Sequence, residues 1–306
     1  MGPTAVGKTG ISLAVAEALK KISAAPVEIV SIDSRQVYRQ LSIGTAKPSR
    51  EERGGIVHHF IDELDPSDSY SAGRFAADAE QRVAAILERG ALPLFVGGST
   101  LYLEALVHGI ADIPASRPGT RAHFKARLQS EGASALYDEL RATDPAAAAS
   151  MDASKSQRIV RALEVLSDTG RRISDWQQTA PPPRFSYAVH VLTRPRPELY
   201  ARIEARVDAM LKAGLLDEVQ ALLDAGYAQN APALATIGYR EPLAYLRGDI
   251  EYGRMVALLK RNSRRYAKRQ LTWFRRHSSY AWIDVSAMSA EDVLSNLISR
   301  RVSPGH

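Results

Sequence analysis

The stretch Gly2-Pro3-Thr4-Ala5-Val6-Gly7-Lys8-Thr9 fills every fixed position of the pattern G-x-x-x-x-G-K-S/T, the spacing of a phosphate-cradling loop that opens a helix. Its residue types follow from that task. Glycines let successive backbone N–H groups turn inward around an anion, Lys8 brings a mobile positive charge, and the Thr9 hydroxyl can hold a Mg²⁺ that bridges two phosphates. Ile11, Leu13, Ala14, Ala16, Ala18 and Leu19 continue as an apolar-rich helix, whose N-terminal dipole adds to the anion site. Such a loop ordinarily hangs from the C-terminal end of a buried β-strand. Only Met1 precedes it here.

Beyond this helix, strands and ligand-ready turns alternate. Val27-Glu28-Ile29-Val30-Ser31-Ile32 is a β-branched run that predicts a strand, and Asp33-Ser34-Arg35-Gln36-Val37-Tyr38 follows it directly. Asp33 thus sits at a strand's C-terminal end, the edge that holds the ligand crevice in open α/β sheets. Ile43-Gly44-Thr45-Ala46-Lys47-Pro48 reads as a polar loop, and His58-His59 precedes Phe60-Ile61-Asp62-Glu63. Adjacent histidines point apart on a strand and no third ligand is evident, so they read as structural rather than metal-binding. Apolar residues recur at helical spacing from Ser71 to Arg89, Gly90 stops that helix, and Leu92-Pro93-Leu94-Phe95-Val96 is the next buried strand. It ends in Gly97-Gly98-Ser99-Thr100, where two glycines permit close backbone approach and two hydroxyls open a helix. The phosphate loop, Asp33 and Ser99/Thr100 therefore converge on one edge of a largely parallel sheet. The fold class is α/β: a P-loop NTPase-like core with a parallel sheet flanked by helices.

A composition shift near Asp112 opens a helical insertion, with helical patterns over Phe124 to Leu128, Ala135 to Leu140 and Ile159 to Leu166 and no convincing strand between them. The expected organisation is a core of residues 1–111 and 186–306 with an insertion of residues 112–185. Pro181-Pro182-Pro183 closes the insertion, a strand over Tyr187 to Leu192 resumes the core, and a helix with Arg202, Arg206 and Met210 follows. From Arg254 to Arg276 stand nine basic residues, Arg264, Arg265, Lys268 and Arg269 among them, with no acid and with Tyr266, Trp273 and Phe274 interleaved. A solvated face ordinarily mixes signs, so this stretch reads as a surface that tracks phosphates.

Composition narrows the classes. A chain of 306 residues, 45% hydrophobic and 24% charged, has ordinary globular values and ample core, and its net charge of +6 favours an anionic partner. With no cysteine, disulfides, thiolate catalysis and cysteine-ligated zinc are excluded. No apolar run approaches membrane-spanning length and no signal-peptide pattern is present, which reads as a soluble cytoplasmic protein without a membrane partner. No obligate protein partner is evident.

In order along the chain, the phosphate loop, Asp33 to Tyr38, Ile43 to Pro48, Gly97 to Tyr102, Ile237-Gly238-Tyr239 and Arg265-Tyr266-Ala267-Lys268-Arg269-Gln270-Leu271-Thr272-Trp273-Phe274 resemble the tRNA dimethylallyltransferases over nearly the whole length. That resemblance implies that the loop residues Gly2, Thr4, Ala5, Val6, Gly7, Lys8 and Thr9 hold the diphosphate of dimethylallyl diphosphate with Mg²⁺ at Thr9, rather than a nucleotide for hydrolysis. It implies that the acceptor is N6 of the adenosine just 3′ of the tRNA anticodon, that Asp33 draws a proton from this amine, and that Arg202 and a hydroxyl of Ser99 or Thr100 assist. It carries tRNA contacts onto Asp33, Ser34, Arg35, Gln36, Ser99, Arg121, Gln157, Arg158, Ile159, Val160 and Arg161. With these the insertion would grip the anticodon stem-loop, beside the basic helix of Arg264 to Arg269.

The departures from the family pattern are Val6 where Ser is common, Ser99-Thr100 where a Thr followed by a small residue is common, and the missing first strand. A Met commonly precedes Gly-Pro-Thr in the family, so the expectation is that Met1 is an internal residue of a chain that continues upstream through a strand. Two other function classes stay open on sequence: an adenylate prenyltransferase or small-molecule P-loop kinase, and a nucleic-acid-binding ATPase.

Overall fold

In the computed structural model, which describes residues 1–111, 113–227, 231 and 233–299, the helix announced by the phosphate loop runs over Lys8–Ser23 (α1). The β-branched run after it is strand β1 (Val27–Ile32), buried at all six positions. Strand β2 is only His58–His59. Helix α2 (Ala72–Glu88) starts where the Ser71 hydroxyl accepts from the Arg74 N–H at 3.1 Å, and strand β3 (Leu92–Gly97) leads into α3 (Thr100–His108). These strands form a parallel sheet in the order β2-β1-β3. The register sets Ile32 opposite Gly97, so the turns after β1 and β3 leave the sheet side by side. A Cβ on Gly97 would lie 2.0 Å from the Ile32 carbonyl oxygen. Only glycine permits that approach.

Glu28 is the one charged residue in fully buried β1, and a buried charge needs partners. It has them. Arg89 reaches its two carboxylate oxygens at 2.6 and 2.5 Å, and His59 Nε2 lies 2.6 Å away. The Arg89 guanidinium holds this carboxyl well below its ordinary range, at about 2. His58 turns the other way, with Nδ1 2.8 Å from the Ile56 carbonyl oxygen.

Residues 108–184 form a compact unit of their own. Among the described residues it is built of helices alone: α4 (Pro118–Ser130), α5 (Gly132–Thr143), α6 (Pro145–Ala149), α7 (Ser156–Thr169) and α8 (Ile173–Gln178). Its core gathers Phe124, Leu136, Leu140, Ile159 and Leu163. Asp144 caps α6 by accepting from the Ala147 N–H and also accepts from the Ser174 N–H. The other unit comprises residues 1–107 and 185–306. Asp112, where the predicted insertion opens, and residues 300–306 lie outside the described residues.

The larger unit resumes with β4 (His190–Thr193), then α9 (Arg196–Lys212), α10 (Leu215–Asp224), α11 (Arg240–Leu246), α12 (Tyr252–Phe274), β5 (Ala281–Asp284) and α13 (Ala290–Ser299). Strands β4 and β5 pair in parallel as a second, two-stranded sheet. The strand expected over Tyr187 to Leu192 begins later, at His190. Met1 and Gly2 lie between the two sheets. The Met1 amine donates to the His190 carbonyl at 2.7 Å, the Leu192 N–H donates to the Met1 carbonyl at 2.8 Å, and the Gly2 N–H donates to the Gly97 carbonyl at 3.2 Å. Beside them an apolar cavity of about 410 Å³ is walled by Val15, Leu94, Phe95, Tyr187, Val189 and Leu192, and β3 is accordingly less buried than β1. Below the phosphate loop, Val6, Val15, Leu199, Ile203, Ala267 and Ile283 share one core. No helix among the described residues is long and apolar enough to cross a membrane.

Candidate active site

The phosphate loop faces a cavity of about 690 Å³ that also takes in the turn after β1, the inner side of α9 and part of α12. Two backbone conformations shape the loop: Gly7 at φ +106°, just before α1, and Ala5 at φ +62°. The first demands glycine, and the second strains an L-residue by roughly 1–2 kcal/mol. Lys8, Thr9 and Gly10 stand in the first turn of α1 and line the cavity, where helix N–H groups have no intrahelical acceptor. The Lys8 ammonium donates to the Gly2 and Pro3 carbonyls at 3.0 and 2.7 Å. Burial, and then the charge of Arg206, lower its pKa to about 7, against an opposing pull from Asp33. Two arginines brace the loop from outside. Arg202 Nε donates to the Ala5 carbonyl and Arg194 Nε to the Val6 carbonyl, both at 2.9 Å. Gly2 and Val6 are buried and shape the loop from behind, whereas Thr4, Ala5, Gly7, Lys8, Thr9 and Arg202 reach the cavity wall.

Asp33 leaves the end of β1 and folds its own turn. Its Oδ1 accepts from the N–H groups of Arg35 at 2.9 Å and Gln36 at 3.3 Å. The Ser99 hydroxyl, 7% exposed, accepts from the Ser34 N–H at 2.9 Å and reaches the Ser34 hydroxyl at 3.3 Å. Of the two expected hydroxyls, Ser99 thus holds the Asp33 turn. Thr100 begins α3, and neither hydroxyl residue is part of the cavity lining. Tyr266 of α12 also lines the cavity, its phenol pushed up to about 12 by burial and by the Asp33 charge. Gln270, one turn further, is 3% exposed. Its Oε1 accepts from the Thr4 N–H at 2.9 Å and its Nε2 donates to the Gly98 carbonyl at 2.7 Å, so one side chain ties the phosphate loop to the turn after β3.

Arg194, Arg206 and Gln270 escape a motif-based reading of the site. Arg206 lies one helical turn after Arg202 on α9 and lines the cavity, with Nη2 donating to the Thr45 carbonyl at 3.1 Å. The i, i+4 spacing of the two arginines was the available signal. For Gln270 it was the polar position in an otherwise apolar helix stripe.

The other expected RNA-facing residues divide by burial. On α7, Gln157 and Arg158 are exposed, but Ile159 and Val160 are buried in the core of the helical unit. Their side chains belong to that core rather than to the surface. Arg161 bonds the Ser116 hydroxyl and the Pro114 carbonyl, and Arg121 is exposed 3.9 Å from Glu164. On α12 the acid-free stretch finds counter-charges on α9: Arg264 pairs with Glu204, and Lys260 with Asp208. Arg265 and Lys268 are exposed, and among the described residues no carboxylate pairs with either. Arg269 lies over the Tyr266 ring at 5.7 Å. Asp62 and Glu63, which by position could pass for a metal-supporting acidic pair, are spent on Lys47, Arg53 and Arg82.

A G-x-x-x-x-G-K-T loop at the mouth of a parallel sheet, opposite a carboxylate turn and braced by arginines, defines a protein of the α/β class with a parallel sheet flanked by helices. The comparisons with known proteins go further. The sequence model of the IPP transferases matches residues 36–277. Among curated proteins, the tRNA dimethylallyltransferase of Salinibacter ruber is 51% identical over all of this chain and 92% of its own length. That of Symbiobacterium thermophilum is 44% identical over 99% of this chain and 93% of its own. The crystal structure of full-length tRNA isopentenylpyrophosphate transferase from Bacillus halodurans superposes with a TM-score of 0.69 at 39% identity, covering 97% of this chain and 92% of that one. A eukaryotic dimethylallyltransferase described as acting on tRNA superposes with a TM-score of 0.76 at 25% identity, over 97% of this chain and 76% of that one. The chain belongs to the IPP transferase family.

Proposed function

We propose that this protein transfers the dimethylallyl group of dimethylallyl diphosphate to N6 of the adenosine 3′-adjacent to a tRNA anticodon, releasing diphosphate. The observation that carries this reading is the shared cavity: a phosphate loop with Lys8 at one side, and the Asp33 turn held by Ser99 at the other. One ligand end is anionic and the other partner must lose a proton, which suits displacement of a diphosphate by an amine.

In this reading the adenine amine approaches the allylic carbon from the Asp33 side. As the new N–C bond forms, the C–O bond to diphosphate breaks and its electron pair leaves with the diphosphate. The N6 proton passes to the Asp33 carboxylate. Diphosphate gains charge as it departs, and first-turn N–H groups of α1, Lys8 and Arg206 supply the compensating field. Mg²⁺ fits the residues present: Thr9 is exposed on the cavity wall, and among the described residues its hydroxyl makes no hydrogen bond. Bound there, the ion would neutralise phosphate oxygens. The target base must leave its stack to reach into this cavity. The exposed Gln157, Arg158 and Arg121 of the helical unit, and Arg265 and Lys268 of α12, are the side chains we assign to the RNA.

The test incubates the protein with labelled dimethylallyl diphosphate, Mg²⁺ and either tRNA or AMP, with ATP hydrolysis followed in parallel. Label is expected in tRNA alone. Label in AMP only, or ATP turnover without labelled tRNA, would overturn the reading. Asp33→Ala is expected to abolish transfer while tRNA binding stays within a few-fold.

A further inference from the structure

We infer that Glu218, on α10 and outside the cavity lining, is a positioning residue that aims Arg206 at the ligand's anionic end; this rests on the proposed diphosphate site.

The Glu218 carboxylate is engaged on both oxygens by one loop. Oε2 accepts from the N–H groups of Ser42 at 3.0 Å and Ile43 at 2.7 Å, and Oε1 accepts from the Gly44 N–H at 3.0 Å and from the Tyr239 phenol at 2.7 Å. Three consecutive backbone donors on one carboxylate fix a loop far more tightly than neutral turn contacts do, because each bond is charge-assisted. Packing closes the same clamp. A Cβ on Gly44 would meet the Tyr239 ring at 2.6 Å, and one on Gly238, at φ +102°, would meet the Gly44 carbonyl at 2.7 Å. The loop between Ser42 and Ala46 therefore has one seat, set by Glu218 on one side and Gly238-Tyr239 on the other.

What this loop presents to the cavity is carbonyl oxygen. Thr45 O accepts from Arg206 Nη2 at 3.1 Å and from Gln36 Nε2 at 3.3 Å, and Ala46 O accepts from Gln36 Nε2 at 3.2 Å. Among the described residues, Arg206 forms no ion pair. Its charge is felt by Lys8 and attracted by Asp33. A guanidinium has five N–H donors in a rigid fork, so fixing one of them on Thr45 O orients the rest. Without the clamp, the carbonyl that orients Arg206 would have no fixed position, and the guanidinium would be free to swing toward the Asp33 carboxylate. Glu218 touches no reacting group in this scheme. It acts through the loop, and the loop acts through Arg206.

The experiment measures binding of inorganic diphosphate with Mg²⁺, and kcat and KM for dimethylallyl diphosphate, in wild type, Glu218→Gln, Arg206→Gln and the double variant. Glu218→Gln is expected to weaken diphosphate binding and lower kcat/KM by about tenfold each, with tRNA affinity unchanged; in the Arg206→Gln background the same change is expected to cost less than about twofold, the non-additivity of residues acting in series. Full additivity, or unchanged diphosphate binding in a folded Glu218→Gln protein, overturns the proposal. If Glu218→Gln does not fold, Tyr239→Phe removes one donor from the same carboxylate. It is expected to give a smaller loss, about threefold, that likewise vanishes beside Arg206→Gln, and an equal loss in both backgrounds overturns the proposal. Diphosphate binding is read without transfer, so failure of wild type to prenylate tRNA would sink the proposed reaction and leave this result interpretable.

Discussion

Among the described residues, the Lys8 ammonium donates to carbonyls alone, those of Gly2 and Pro3. Burial and the nearby Arg206 bring its pKa from 10.5 to about 7. The sign follows from linkage. In the unfolded chain Lys8 stays protonated up to its ordinary range, so folded-state stability declines as pH falls from about 10 to about 7 and levels off below. Ligand binding works in the opposite sense: a diphosphate beside Lys8 favours the charged form, so at pH 8 binding is expected to take up more protons in wild type than in Lys8→Met, where only the ligand's own titration contributes. Calorimetry of diphosphate binding in buffers of different ionisation enthalpy reads the difference, and equal proton exchange in the two proteins would remove Lys8 from the anion site. A second expectation separates the two adjacent hydroxyls. Neither lines the cavity, but Ser99 bonds the Ser34 N–H and so holds the Asp33 turn, a contact Thr100 does not make among the described residues. Ser99→Ala leaves a buried donor unpaired, a cost of about 1–3 kcal/mol, and should lower kcat well beyond the effect of Thr100→Ala. Equal effects would return the choice between them to the open state in which the sequence leaves it.

At the level of elements, α12 has two unlike faces, one buried and one basic and exposed. Its buried face carries Gln270, which spans from the Thr4 N–H to the Gly98 carbonyl. Gln270→Leu keeps the volume but leaves both groups unpaired, so diphosphate binding should weaken by roughly tenfold or more, while tRNA affinity, which the proposal assigns to the other face, should change little. Equal losses in both would mean that the helix itself had moved. Periodicity revealed this helix because its stripes are long, and it revealed β1 and α2 for the same reason. It placed the start of β4 three residues early, because Tyr187 to Val189 have strand composition but lie before the pairing begins at His190, and it passed over β5. Motif spacing located the phosphate loop and Asp33. It could not locate Arg194, Arg206 or Glu218, because their roles exist only once β4, α9 and α10 have been brought against residues 2–46, and no local pattern encodes such a meeting.

Across the whole molecule the net charge of +6 is modest, so affinity for RNA has to come from where the bases stand. Sequence alone makes the nine bases between Arg254 and Arg276 look equivalent. The fold ranks them. Arg264 is matched by Glu204 and Lys260 by Asp208, and neutralised pairs release few counterions when a phosphate approaches. Arg265 and Lys268 are among the exposed bases of this stretch without a carboxylate partner among the described residues, so they are among those expected to displace ions from the RNA. Reversing Arg265 and Lys268 together to Glu should therefore weaken tRNA binding and flatten the plot of log affinity against log salt by about 1.4–1.8, since each lost phosphate contact removes roughly 0.7–0.9 from the slope. Arg264→Ala should shift the slope by less, because Glu204 already offsets that charge. Titrations of tRNA at several salt concentrations with both variants measure the difference, and an unchanged slope in the double reversal would assign these charges to a solvated face and leave RNA binding to Arg121, Gln157 and Arg158 of the helical unit.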